Sequence, residues 1–180
     1  SVLHYPACGG TTAGGGMIVL DASTLILLAK TDLLPLLAEK TRVLIPEEVQ
    51  REALAKPELY DARVIAGMLS TGKVQVLKDP QAQLCKRLQD DFALEPGEAS
   101  ALLLAKEKRV PLGTDDGPSI KAAKLMGIPF LTAIHVVVEL CEKGRIDRQT
   151  ALAKLERLQQ VGRYGVQILE DARKQIQRGR

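Results

Sequence analysis

Carboxylates stand directly after two short apolar runs of this sequence. Asp21 follows the run Ile18–Leu20, and in the stretch VPLGTDDGPS a second run leads into Thr114, Asp115 and Asp116. If both runs are strands of an open parallel α/β sheet, ligands bind outside the carboxyl ends of those strands. Few acidic side chains are placed at the end of a buried strand for packing. We therefore expect these acids to meet at one edge of the sheet and to form a binding or catalytic site.

Two predicted helices add further acids. In LEPGEASALLLA, Pro96 suits the first position of a helix, and Glu98 then falls in the first turn. A carboxylate there also complements the helix dipole, so Glu98 has a purely structural explanation as well. In IPEEVQREAL the same dipole argument explains Glu47 and Glu48, but it does not explain Glu52, which lies further into the helix.

A cluster of acids in one crevice repels itself, because each ionised carboxylate raises the pKa of its neighbours. A bound divalent cation removes that penalty. The chain has only two histidines, His4 and His135, and three widely spaced cysteines, so any metal site here must be rich in oxygen. Oxygen ligands suit Mg²⁺ or Mn²⁺ rather than Zn²⁺. Such an ion can lower the pKa of a bound water and stabilise a leaving oxygen, so the acids indicate metal-dependent phosphoryl chemistry.

The elements that must place these acids alternate between short apolar runs and stretches of helical periodicity. This alternation predicts a parallel sheet of about five strands, covered by helices on both faces. The predicted strands are Ile18–Leu20, Val43–Ile45, Val74–Leu77, Val110–Gly113 and Pro129–Leu131. The predicted helices are Ser23–Glu39, Glu47–Ala55, Asp61–Ser70, Gln81–Ala93, Gly97–Lys108, Ser119–Met126, Arg148–Gln160 and Tyr164–Gln177.

Composition divides the chain into three segments. Residues 1–16 are rich in Gly and Thr and end directly before Met17, and we interpret them as a leader or an expression remnant. Residues 17–146 form the predicted α/β domain, and residues 147–180 a helical extension. The formal net charge of +3 divides into −2 for residues 1–141 and +5 for residues 142–180. The basic extension is interpreted as a solvated helix face, with binding of a polyanion or an acidic partner as the alternative.

Composition also excludes several classes of protein. Aromatic residues make up 3% of the chain and Trp is absent, which argues against base-stacking platforms for single-stranded nucleic acid. Charged residues interrupt every apolar stretch well before membrane-spanning length, so we expect no transmembrane helix and no membrane partner. Three cysteines are an odd count without metal-knuckle spacing, and they fit a reducing cytoplasm.

The series MIVLDAST, VLIPEEVQREAL, LEPGEASALLLA and PLGTDDGPSIKAAKLMGIPFL resembles the PIN domain, the metal-dependent ribonuclease domain of virulence-associated protein C-type toxins. The resemblance covers about residues 17–146 and implies an α/β/α sandwich with a central parallel sheet. Two of its segments, GEASALLLA and TDDGPSIKAAKLMGIPF, are most similar to a PIN subfamily of predicted nucleic-acid-binding proteins.

The resemblance also implies roles for individual residues. The catalytic acids of the family fall on Asp21, Glu52, Glu98 and Asp116, although Glu98 replaces an Asp that is commoner in the toxins. One or two Mg²⁺ or Mn²⁺ ions would be held by Asp21, Glu98 and Asp116, with Asp115 as the adjacent alternative and with Glu52 acting directly or through water. Ser23 and Thr114 would support these acids. A metal-bound water would attack the RNA phosphate and leave a 5′-phosphate and a 3′-hydroxyl.

The resemblance therefore predicts an endoribonuclease with RNA as its substrate, and an antitoxin protein as partner if the chain is a toxin. A catalytically idle PIN-like module that binds RNA or a protein partner is the alternative. We also predict a homodimer, because several helices offer apolar faces. These faces are the Leu-rich stretch Leu25–Leu37, the stripe Leu152, Leu155 and Leu158, and the stripe Ile168, Leu169, Ala172 and Ile176.

Overall fold

A five-stranded parallel sheet forms the centre of the protein, whose computed structural model describes residues 16–179. The strand order is β3-β2-β1-β4-β5, so β1 lies in the middle and pairs with both β2 and β4. All five strands lie where the apolar runs predict them. Their bounds are β1 Met17–Leu20, β2 Arg42–Pro46, β3 Val74–Leu77, β4 Leu112–Gly113 and β5 Phe130–Leu131.

Helices flank the sheet and complete the three-layer α/β/α sandwich that the sequence predicts. The helices from the first to the fifth strand are α1 Ala22–Lys30, α2 Leu34–Ala38, α3 Glu47–Ala53, α4 Tyr60–Ser70, α5 Ala82–Phe92, α6 Pro96–Lys108 and α7 Gly117–Leu125. Those that follow the fifth strand are α8 Ala133–Glu142, α9 Arg148–Val161 and α10 Val166–Arg178.

Helix α6 is enclosed by its neighbours over most of its length. Every residue from 99 to 105 is buried, because α6 packs against β1 and β2 on one side and against α3 and α5 on others. A run of Ala and Leu with no polar face predicts such enclosure. Its first turn, which carries Glu98, is thereby fixed relative to the carboxyl end of β1, where Ile18, Val19 and Leu20 are fully buried.

The prediction of a single helix over Ser23–Glu39 is wrong, because the helix is interrupted between α1 and α2. Asp32 adopts a left-handed backbone conformation with φ of 55°. Pro35 lies in the first turn of α2, and in an unbroken helix it would leave the carbonyl of Thr31 without its donor. In the structure, Lys154 Nζ donates to that carbonyl over 2.8 Å. The proline therefore separates the two helices, and α9 satisfies the freed carbonyl.

Helix α8 is absent from the sequence-based prediction. It contains the β-branched run Val136–Val138, which has low intrinsic helix propensity. Seven of its ten residues are buried, and this burial overrides the propensity. Helix α8 also begins at the same sheet edge as the predicted acids, since β5 ends one residue before its N-cap, Thr132.

The C-terminal helices α9 and α10 pack on each other and on α8. Leu155, Leu158 and Ile176, which belong to the stripes used to predict a homodimer, are at most 1% exposed within one chain. Leu25 and Leu34 of the Leu-rich stretch are fully buried as well. Most of these faces are therefore covered by the chain itself, whereas Ile168 of the last stripe is 51% exposed, and the homodimer stays a prediction.

Two further predictions concern single residue types and membrane insertion. Cys85 and Cys141 are buried free thiols, as expected for small packed hydrophobic residues, and Cys8 lies outside the described residues. Within residues 16–179, no helix has both the length and the apolar character needed to cross a membrane.

Candidate active site at the carboxyl edge of the sheet

Asp21 leaves β1 at the centre of the sheet and serves as the N-cap of α1. Its side chain is almost fully buried, with 1% of the residue exposed. One carboxylate oxygen accepts the backbone N–H of Thr24 at 3.0 Å and the hydroxyl of Ser23 at 3.1 Å, and the other accepts the hydroxyl of Thr114 at 2.6 Å. Burial still raises the pKa of Asp21 to about 6, because these bonds offset only part of the lost hydration.

Asp116 is the acid of the turn after β4 that keeps an oxygen available. It is the N-cap of α7, and its Oδ2 accepts the backbone N–H of Ser119 at 2.9 Å. The hydroxyl of Thr114, which donates to Asp21, also accepts the backbone N–H of Asp116 at 3.2 Å. Oδ1 of Asp116 accepts no hydrogen bond from residues 16–179.

Asp115 has a different environment, although it is the direct neighbour of Asp116. Its Oδ2 accepts the hydroxyl of Thr24 at 2.6 Å, and its Oδ1 accepts the hydroxyl of Tyr164 at 2.8 Å. Both oxygens also lie 3.2 Å from the backbone N–H of Ala133 at the start of α8. Asp115 therefore ties together α1, α8 and the link between α9 and α10, which makes Asp116 the better candidate for a metal ligand.

Glu98 and Glu52 are both held against the N-terminus of α6. Glu98 Oε2 accepts the backbone N–H of Glu95 at 2.8 Å, and Glu52 Oε1 accepts that of Gly97 at 3.0 Å. A Cβ at position 97 would lie 2.5 Å from both carboxylate oxygens of Glu52, so a larger residue there would displace that carboxylate. The absence of a side chain at Gly97 thus lets α3 bring Glu52 onto α6.

The electrostatics of the site show which acids act on one another. Burial raises the pKa of Glu98, and the charges of Asp116 and Asp21 raise it further. Burial also raises the pKa of Glu52, with added repulsion from Glu48 and Glu98. The charges of Asp21 and Asp116 therefore act on Glu98, and Glu52 is held beside it at the N-terminus of α6.

Every one of these four acids has a structural role as well as a chemical one. Each accepts a backbone N–H in the first turn or at the cap of a helix, where a negative charge is favourable. The helix termini alone do not offset the cost of the negative charge in the site, because the pKa values of Asp21, Glu52 and Glu98 remain raised. In the part of the chain that the structure describes, no Lys or Arg forms an ion pair with any of the four.

The chemistry of these donors fits a divalent cation, since mutually repelling carboxylates without a cationic partner are hard oxygen ligands. The carboxylates are further apart than the ligands of a formed metal site. Among residues 16–179, no three or more His, Cys, Asp or Glu side chains are already close enough together to hold a metal ion. Side-chain rotation on binding would have to close the remaining distance, for which Asp116 Oδ1 and Glu98 Oε1 are free of hydrogen bonds from these residues.

Two residues near the site were missed by the sequence analysis. Asp79 follows β3 and accepts the backbone N–H of Glu48 at 2.9 Å and the hydroxyl of Ser100 at 3.0 Å, so it links α3 to α6. The rule that found Asp21, an acid just beyond a strand, would also have found Asp79. Tyr164 lies 49 positions beyond Asp115, and nothing in the local sequence indicates that the two side chains meet.

The fold and the site define a class of protein, namely a three-layer α/β/α domain with acidic side chains gathered at the carboxyl edge of a parallel sheet. A family model described as a PIN domain matches residues 17–178. The chain belongs to the PIN-domain family, and the resemblance in its motifs is confirmed. PIN domains have in general a nuclease-type fold, and they typically use divalent metals. The match extends through α9 and to the last residue of α10.

The fold is also that of a solved structure. The crystal structure of PAE2754 from Pyrobaculum aerophilum is 23% identical to this chain with a TM-score of 0.50, and the match covers 71% of this chain and 98% of that one. At this identity the likeness shows the fold alone. No curated protein matches the sequence.

Proposed function

We propose that the protein is a metal-dependent endoribonuclease that hydrolyses RNA phosphodiesters with Mg²⁺ or Mn²⁺ as its cofactor. The observation that carries this proposal is that Asp21, Glu98 and Asp116 lie at the starts of three helices at the carboxyl edge of the sheet, with no cationic partner in residues 16–179. Family membership supports it, because PIN domains are generally nucleases.

The residues that would hold the ion are Asp21, Glu98 and Asp116, with Glu52 beside Glu98. A bound divalent ion supplies a water of lowered pKa and charge stabilisation for the transferring phosphoryl group. The protein holds the acids in place. Thr114 fixes one oxygen of Asp21 through its hydroxyl at 2.6 Å, and Gly97 fixes Glu52 through its backbone N–H at 3.0 Å. These bonds reduce the cost of ordering the carboxylates around a ligand.

A cleavage assay on a circular RNA tests both the metal requirement and the endonuclease assignment. We expect linear products in Mn²⁺ or Mg²⁺, no products in EDTA, and no products from the Asp21→Asn variant. Asp147→Asn is the matched control, because Asp147 is also an N-cap aspartate, on α9, but belongs to no acidic cluster. Cleavage in EDTA, or equal cleavage by Asp21→Asn and the wild type, would contradict the proposal.

The second candidate function is a catalytically idle module that binds RNA or a protein partner. Two observations favour it: the acids have helix-capping roles, and no three of them in residues 16–179 are already close enough to hold a metal ion. A gel-shift measurement with the same RNA separates the two functions. A nuclease predicts binding by Asp21→Asn without cleavage, whereas an idle module predicts binding by both proteins and cleavage by neither.

The toxin role and the homodimer belong to the same proposal. A toxin would arrest the growth of cells that express the wild type, and the Asp21→Asn variant would not. Co-purification of a small antitoxin protein encoded beside the toxin would support the pair. Light scattering at micromolar concentration gives the oligomeric state, and a monomer would contradict the homodimer.

A further inference from the structure

One hydrogen bond reaches the candidate site from the C-terminal helices. Tyr164 lies in the short link between α9 and α10, and its hydroxyl donates to Asp115 Oδ1 over 2.8 Å. Tyr164 is partly buried. Hydrogen bonds to a charged acceptor are stronger than neutral ones, so this contact is a specific attachment of the C-terminal segment to the turn after β4.

Asp115 is in turn connected to two acids of the site, Asp21 and Asp116. Thr24 donates its hydroxyl to Asp115 at 2.6 Å and its backbone N–H to Asp21 at 3.0 Å, so one residue touches both carboxylates. On the other side Asp115 is joined by a peptide bond to Asp116, the N-cap of α7. A displacement of Asp115 would therefore reach Asp21 through Thr24 and Asp116 through the backbone.

The local sequence fixes the ring of Tyr164 as well as its hydroxyl. A Cβ at Gly162 would lie 2.4 Å from Cε2 of the ring and 2.9 Å from the carbonyl oxygen of Leu158. The ring thus packs directly over the backbone at Gly162, which itself ends α9. The glycine and the tyrosine together set the direction from which the hydroxyl approaches Asp115.

We propose that Tyr164 is a positioning residue of the site, which holds the turn at residues 114–116 through Asp115. The two C-terminal helices then serve the site directly, although they contribute none of its acids. The catalytic consequence of this inference rests on the proposed function. Its structural consequence, an ordered turn, does not.

The test compares Tyr164→Phe with Tyr60→Phe. Tyr60 also donates its hydroxyl to an aspartate, Asp32, but at the surface near the far end of α1. Backbone hydrogen exchange is measured without metal at Asp116 and Ser119, whose N–H groups bond to Thr114 and to Asp116 respectively. Loss of a hydrogen bond to a charged group predicts about tenfold faster exchange at these two amides in Tyr164→Phe. Tyr60→Phe should leave them unchanged.

Kinetics provide the second measurement. The substitution displaces the turn at residues 114–116 but leaves the substrate-binding surface in place. We therefore expect kcat of Tyr164→Phe to fall about tenfold while KM changes little. The Mn²⁺ concentration for half-maximal rate should rise. Gly162→Ala, which displaces the ring but keeps the hydroxyl, should change kcat in the same direction. Urea denaturation of each variant shows whether global stability accounts for the loss.

The outcomes separate this inference from the proposed function. Unchanged exchange at Asp116 and Ser119 in Tyr164→Phe would overturn the positioning role, as would faster exchange without any loss of kcat. A wild-type protein without nuclease activity would overturn the proposed function, and the exchange comparison would still decide whether Tyr164 orders the turn.

Discussion

The buried carboxyl of Asp21 makes the stability of the metal-free protein depend on pH. The ordinary pKa of 3.8 is raised to about 6 in the folded chain. Below pH 3.8 the group is protonated in both the folded and the unfolded state, so it costs nothing. Between these two pH values the unfolded chain ionises first, and stability falls as the pH rises. Above about pH 6 the cost is constant, and the difference between the two pKa values corresponds to about 3 kcal/mol.

Replacing Asp21 by Asn removes this charge and keeps the shape of the side chain. The amide oxygen can still accept the backbone N–H of Thr24, and the amide nitrogen can donate to the hydroxyl of Thr114, which rotates to accept it. We therefore expect Asp21→Asn to be more stable than the wild type at pH 7.5 by about 1–3 kcal/mol, since some hydrogen-bond strength is lost with the charge. For a chain of this length, each kcal/mol raises Tm by roughly 2–4 °C.

The assay is urea denaturation in EDTA at a series of pH values from 4 to 8. The stability difference between Asp21→Asn and the wild type should widen between pH 4 and pH 6 and then stay level. Asp147→Asn is the control, because Asp147 is an exposed N-cap whose pKa is lowered by the backbone N–H of Thr150, and Asn caps a helix equally well. A variant Asp21→Asn that is less stable than the wild type at pH 7.5, or a difference that does not change with pH, would refute the reasoning.

Three further substitutions test other parts of the structure. Thr114→Val removes the hydroxyl bound to Asp21, so the pKa of Asp21 should rise further in an NMR titration; an unchanged pKa would contradict the contact. Gly97→Ala places a Cβ against Glu52 and should lower RNA cleavage more than it lowers stability in urea, whereas full activity would exclude Glu52 from the mechanism. Leu155→Ala leaves a cavity under α9 and should cost about 2–5 kcal/mol in urea denaturation, and a cost below about 1 kcal/mol would show that α9 packs loosely.

The strands and the central acids were predictable from the sequence for a simple reason. Each strand is a short apolar run between helical stretches, and burial on both faces of a parallel sheet leaves no other pattern. Asp21 and Asp116 follow from the same logic, because an acid just beyond such a run must lie at the carboxyl edge. Two predicted helices supplied Glu52 and Glu98 as further acids, and the family resemblance then implied that they act at the same site.

What the sequence could not provide depends on contacts between distant parts of the chain. The valines of α8 favour a strand locally, and only burial in the folded chain makes them helical. Asp115 and Asp116 are identical in type and adjacent in sequence. Their different roles arise because α8 and the link after α9 supply donors to Asp115 alone. Local sequence patterns carry no information about those donors.

The hydrogen bond between Thr114 and Asp21 joins residues 93 positions apart. The strands β1 and β4 that carry them pair in parallel across the same interval, and such long-range pairing forms slowly compared with local structure. During synthesis, β1 can pair with β2 as soon as residue 46 is available. Its pairing with β4 on the other edge requires that more than half of the chain has been made. A nascent or truncated chain that stops before residue 112 therefore carries Asp21 without the strand that completes its site.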